Sequence, residues 1–295
     1  MNKKIFGVST IVIIITVIAT SIIYFVNANK DDNSYLSEKT EQELKYIERE
    51  IISMMNHLNN ISFTDSVLKQ TTKESTNTSN EQTNQNEQSS SAGENNQNSS
   101  NNETTTKNVK FTTEVEGILE TDLSHVDWDH LKTNIENLYD IWSIAIVDLH
   151  SLNVNNEDIL NFSILLDKVT INIKDEDKLS SLNNLANLYS YISLYFEQIS
   201  NDNKNINIQK TKSAILNSYV FVEQNNWDEV KLQLQEAINN YTNVINNVDE
   251  ENKNNKNKIT KIYVLLNELN NATSLQSKEI YYIKYKNVMD ELVNI

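Results

Sequence analysis

The sequence predicts an all-α chain: an N-terminal transmembrane helix, a juxtamembrane helix, a disordered linker and an antiparallel bundle of about seven helices. Three observations carry this reading. Apolar residues recur at spacings of three and four through nearly all of 110–295, and no useful run alternates with the period of a strand. Proline is absent and glycine numbers three in 295 residues, so turns must be built from Asn, Asp and Ser, which tolerate left-handed backbone or bond their own chain. Finally, Ile5–Val26 is uncharged and apolar, and about 20 such residues cross a hydrocarbon core of roughly 30 Å as a helix.

Lys3 and Lys4 precede that run, so the positive-inside rule leaves residues 1–4 as a cytoplasmic stub. Residues 5–26 are then a single-pass cell-membrane anchor, with the rest of the chain extracytoplasmic. Val26-Asn27-Ala28 also offers a signal peptidase a site after Ala28. A secretory h-region is about 7–15 residues, shorter than this run, which favours the anchor. No Cys follows the run, and a lipoprotein anchor is thereby excluded.

After a short polar spacer, Leu44, Ile47, Ile51, Met54, Leu58 and Ile61 alternate at three and four, which places a juxtamembrane helix over 34–61. Its seam needs a cover, either the chain's own outer domain or a second copy in a homodimer through residues 44–61. Residues 66–109 are rich in Gln, Asn, Ser, Thr and Glu and nearly lack apolar side chains. Such a segment buries too little to offset its ordering entropy and reads as disordered linker. Its root-mean-square reach is roughly 35–40 Å, enough to serve as a spacer between membrane and domain.

The outer domain, 110–295, resolves into helices in turn. Asp127 is placed to cap a helix whose face carries Trp128, Leu131, Ile135, Leu138, Trp142, Ala145 and Leu149. Asn155-Asn156-Glu157-Asp158 opens the next, with Ile159, Phe162, Leu166, Val169 and Ile173. The third carries Leu182, Leu185, Tyr189, Ile192 and Phe196 on one face and Leu188, Tyr191 and Tyr195 on another, the mark of a central helix. A helix over about 206–223 follows. Then come one capped by Asn226, one marked by Ile259, Ile262, Leu266 and Leu269, and a last one opened by Ser277 and Glu279. Asn203–Asn205, Glu250–Lys256 and Asn270–Gln276 are expected connections. Trp128-Asp129-His130-Leu131-Lys132 is echoed by Trp227-Asp228-Glu229-Val230-Lys231, which suggests a duplicated helical hairpin.

An anchor, a seam helix over Tyr35–Ile61 and the run Asp127-Trp128-Asp129-x-Leu131-Lys132-x-x-Ile135-x-x-Leu138-x-x-x-Trp142 with its following helices to Ile199 resemble a family of small membrane-anchored helical proteins of spore-forming Gram-positive bacteria, which has no assigned function. This chain departs by the polar linker and by about 95 residues after Ile199. The resemblance implies a fold and a location, and no activity.

Composition removes several functions. A net charge of -16 repels nucleic acid phosphates. Without Cys there is no disulfide, thiolate metal site or Cys nucleophile. Three glycines cannot form a phosphate-cradling loop, and Arg49 is the single arginine. No G-x-S-x-G elbow or D-x-D-x-D-G calcium loop occurs.

His57, His125, His130 and His150 are the candidate metal ligands. Asp127/His130 and His125/Asp129 have ligand-like separations, but His125 precedes the cap and Asp127 is committed to backbone N–H groups, so they read as capping-region or solvated histidines. Asp175-Glu176-Asp177 and Asp249-Glu250-Glu251 read as solvated helix ends. Tyr189, Tyr191, Tyr195 and Phe196, with Tyr281, Tyr282 and Tyr285, could line a groove, though helical spacing favours the core. The expectation is a non-enzymatic interaction or scaffold module with no cofactor and no assigned catalytic, cofactor or metal residue, partnered by a cell-envelope protein. The alternative is an envelope receptor for a small ligand or metal without its own signalling domain.

Overall fold

The computed structural model describes residues 34–62, 117–247 and 253–295. The stub, the anchor at 5–26, the linker at 66–109 and Asp249-Glu250-Glu251 lie outside the described residues. Among the described residues no helix is long and apolar enough to cross a membrane. All regular structure there is helical: α1 (34–57), α2 (Trp128–Ser151), α3 (Asn156–Lys174), α4 (Lys178–Ile199), α5 (Asn203–Glu223), α6 (Trp227–Asn246), α7 (Lys253–Ala272) and α8 (Lys278–Val293). A 3₁₀ turn, Thr273–Leu275, joins the last two.

Local chemistry starts and stops these helices as a glycine-poor chain requires. Asp127, Asn155, Asp177, Asp202, Asn226 and Ser277 each accept a first-turn backbone N–H through the side chain, which satisfies donors that have no partner within the helix. Asp202 explains why α5 opens at Asn203, three residues before the sequence places it. At the other ends Asn60, Asn153, Glu176 and Asn225 adopt positive φ where glycine is usual. After α3, the Asp177 N–H donates to the Asn172 carbonyl and the Glu176 N–H to the Ile173 carbonyl, the paired closure of a Schellman turn.

Residues 34–62 and 117–295 fall in one compact unit. Leu44, Ile47, Ile51, Met54 and Leu58 are fully buried and Ile61 is 2 % exposed, so the cover for the seam is the chain's own bundle. Burying such side chains contributes about 1.5–3 kcal/mol each. They could meet a second copy through residues 44–61 only by leaving this core. Polar ties fix the docking: Ser37 Oγ donates to the Ile199 carbonyl, Lys39 Nζ pairs with Asp148 Oδ2 at 2.5 Å, and Tyr285 OH donates to Asn56 Oδ1 at 3.1 Å.

Two expectations change accordingly. The helix at 34–61 is the eighth member of the bundle and is not separate from the outer domain. The segment 63–116 therefore leaves and re-enters the same unit, which makes it an α1–α2 connection and not a spacer between anchor and domain.

The internal echo extends far beyond one hairpin. α4 begins at Lys178 and α8 at Lys278, 100 positions apart. Buried positions repeat at that interval: Ile159, Phe162, Leu166, Val169 and Ile173 of α3 answer to Ile259, Ile262, Leu266, Leu269 and Thr273. Ser181, Leu182, Leu185, Leu188, Tyr189 and Ile192 of α4 answer to Tyr281, Tyr282, Tyr285, Val288, Met289 and Leu292. Lys178 Nζ donates to the Leu123 carbonyl and Lys278 Nζ to the Glu223 carbonyl, the same contact in both halves.

α1 and α5 complete the pattern. Asn205 contacts Glu41, Lys212 contacts Glu48 and Tyr219 contacts Met55, each pair 164 residues apart. A constant separation means the two helices run parallel, so the bundle is not antiparallel throughout. The buried positions of α3–α4 thus repeat in α7–α8, and α1 packs beside α5 in parallel within one compact unit.

Candidate functional site

The residues singled out from sequence are dispersed or committed to the fold. Tyr189, Tyr195, Tyr281, Tyr282 and Tyr285 are fully buried, and their hydroxyls are held well above the usual tyrosine range, chiefly by burial. Tyr281 shares a hydrogen with Ser218 at 2.6 Å, and Tyr219 packs on Tyr282 and Tyr285 with centroids 5.0 and 4.8 Å away. These rings fill the core, and they line no groove. Trp142 lies 4.0 Å from Phe162 and donates to Ser163 Oγ, while Trp128 and Trp227 pack partly buried against the core. Asp175 and Asp177 are the cap residues on either side of the turn at Glu176.

The histidines arrange themselves differently from the sequence expectation. His130 meets His57, whose ring centroid is 4.4 Å away, and His125 and His150 are exposed elsewhere. Burial, then the His130 charge, lowers the His57 pKa. No sequence signal could pair these two, because the α1–α2 connection separates them. Among the described residues no three His, Asp or Glu side chains form a group able to hold a metal ion.

Two other features stand out. The first is an apolar outer face on the α2–α3 hairpin. Ile144, Val147, Leu160, Ile164 and Ile171 are 53, 60, 59, 44 and 56 % exposed. The hairpin register, fixed by Trp142 on Ser163 and by Tyr139 on Asp167, puts Ile144 and Val147 beside Leu160, with Ile164 about one turn further along α3 and Ile171 about two turns beyond it. In the second half of the chain the equivalent positions are Asn243, Asn246, Thr260, Val264 and Asn271. The duplicated scaffold thus tolerates polar residues at four of these five places, while α6 and α7 expose Leu232, Ile245 and Val264.

The second feature is a cavity of about 470 Å³ where the middle of α1 and the N-terminal half of α5 meet the end of α8. At its floor Lys212 Nζ lies 2.5 Å from Glu48 Oε1, with side chains 6 and 4 % exposed. Gln209 accepts from Tyr189 OH at 2.7 Å beside them. Around it stand Lys45, Arg49 and Lys204. Charge and hydrogen-bonding capacity converge here far more than anywhere the sequence suggested, because the site needs α1 beside α5.

No protein-family model, curated protein or solved structure matches the chain.

Proposed function

We propose that the chain is a non-enzymatic interaction module: a helical bundle held on the outer side of the cell membrane by the 5–26 anchor, docking an envelope protein through the outer face of α2–α3. The observation that carries this reading is the contrast between the two halves. Five exposed apolar side chains on α2–α3 stand where α6–α7 carries three asparagines, a threonine and one valine. A bundle gains no stability from exposed aliphatic side chains, and clustered ones mark contact surfaces. The fitting partner presents an apolar helix or groove, since residues at these spacings on two helices form a ridge pair. With α1 part of the bundle, only Asn27–Asn33 separates anchor from domain, a reach of at most about 25 Å. The docking face is then held close to the membrane surface.

The test grafts one half's surface onto the other. Ile144→Asn, Val147→Asn and Leu160→Thr introduce the residues the scaffold already carries at the equivalent positions. A photo-crosslinking side chain at exposed Ser143 of the full chain in intact cells should give one discrete adduct, lost in the triple variant while its thermal unfolding stays unchanged. No adduct, or an adduct indifferent to the three substitutions, would remove the proposed surface.

A further inference from the structure

The charged cavity lies on the α1–α5–α8 side of the bundle and is independent of the α2–α3 face. Its floor holds a group whose bonding is incomplete. Glu48 is 3 % exposed, and its Oε1 is taken by Lys212 while its buried Oε2 has no hydrogen-bond partner. The neighbouring Tyr189 hydroxyl, which also faces Glu48, donates its one hydrogen to Gln209 at 2.7 Å. An ionised oxygen removed from water without a donor is costly, so the floor favours an incoming ammonium or comparable donor.

The rim has the opposite need. Lys45, Arg49 and Lys204 line the opening, and among the described residues none of them is in an ion pair. Two acids share the lining, each with one oxygen bonded: Asp202 Oδ1 caps α5 through the Lys204 and Asn205 N–H groups, and Glu41 Oε2 accepts from Asn205 Nδ2 at 3.4 Å. Arg49 is the only arginine in the sequence, and its planar fork suits a carboxylate held by two parallel hydrogen bonds.

We infer that this cavity binds a small zwitterion of amino-acid to short-peptide size, its ammonium directed to Glu48 Oε2 and its carboxylate to Arg49 and Lys45. The volume falls within the range of small-molecule sites, about 300–1,000 Å³. Net charge supports the choice further. A chain carrying -16 repels anions at long range, and a ligand of zero net charge reaches the rim without that barrier. A simple anion would leave Glu48 unanswered, and a simple amine would leave the rim cations unanswered.

The experiment is isothermal titration of the full chain in a non-ionic detergent with the dipeptide alanyl-alanine, and with acetate and methylammonium as half-ligands. The expected result is saturable one-to-one binding of the dipeptide, with both half-ligands weaker by about tenfold or more. Arg49→Gln with Lys45→Gln, both exposed and outside the core, should weaken the dipeptide by a similar factor while circular dichroism and unfolding stay unchanged. Glu48→Gln, where it folds, should erase the preference for the dipeptide over acetate. No dipeptide binding tighter than about 1 mM, acetate binding as well as the dipeptide, or binding unchanged in the Arg49/Lys45 variant would each overturn the assignment.

Discussion

Glu48 of α1 and Lys212 of α5 meet at 2.5 Å where the two parallel helices pack. Both side chains are almost fully buried, so the pair matters more for what its loss exposes than for its own attraction. Lys212→Met alone leaves an uncompensated buried carboxylate and should cost about 3–5 kcal/mol in urea unfolding. Glu48→Met with Lys212→Met removes both charges, and should recover most of that loss or exceed the parent. A double variant as unstable as the single one would show that the pair is required for pairing α1 with α5.

The His57–His130 contact makes a pH prediction with a defined sign. From its own helix Ser53 Oγ lies 3.5 Å from His57 Nδ1, and from α2 it faces the His130 ring and, at longer range, the Asp127 charge, which opposes the shift. Burial and His130 together lower the folded pKa below the ordinary histidine value of about 6.5. The unfolded chain then binds the proton more readily, so this group's contribution is full above pH ~6.5 and is lost as pH falls from there through the folded pKa. His57→Gln should flatten the pH dependence of unfolding free energy between pH 7 and pH 5 relative to the parent. An unchanged slope would mean that His57 titrates as it does in the unfolded chain.

What the sequence carried well was local. The seam residues from Leu44 to Ile61 and the faces of α2, α3 and α4 are buried as their spacing predicts, and Asp127, Asn155, Asn226 and Ser277 cap where they were placed. These signals depend on the nearest turn of helix, which a sequence states directly. Contacts between α1 and the distant helices were not legible. Arg49 and Lys204 are 155 positions apart, and nothing local says that α1 lies beside α5. The polar connection hid the relation further. Without it, the 164-residue interval between α1 and α5 would fall near the 100-residue interval of the other helices, and the whole duplication would read as one repeat. The cavity and the histidine pair were missed for the same reason, since each takes one wall from α1.

The same reasoning makes the connection itself testable. Between α5 and α6 the second half needs only Gln224, Asn225 and Asn226. The first half uses residues 58–127 for the equivalent step, and both ends of that stretch belong to one compact unit. Closing a long connection between packed helices costs entropy, at about 0.6 kcal/mol per doubling of length. Deleting residues 66–109 keeps Ile118, Leu123 and Val126, which pack on the core, and should raise stability by about 1 kcal/mol, a few degrees in Tm for a domain of this size. The parent fold, read by circular dichroism, should be retained. A deletion that unfolds the bundle would show instead that residues 66–109 contribute packing.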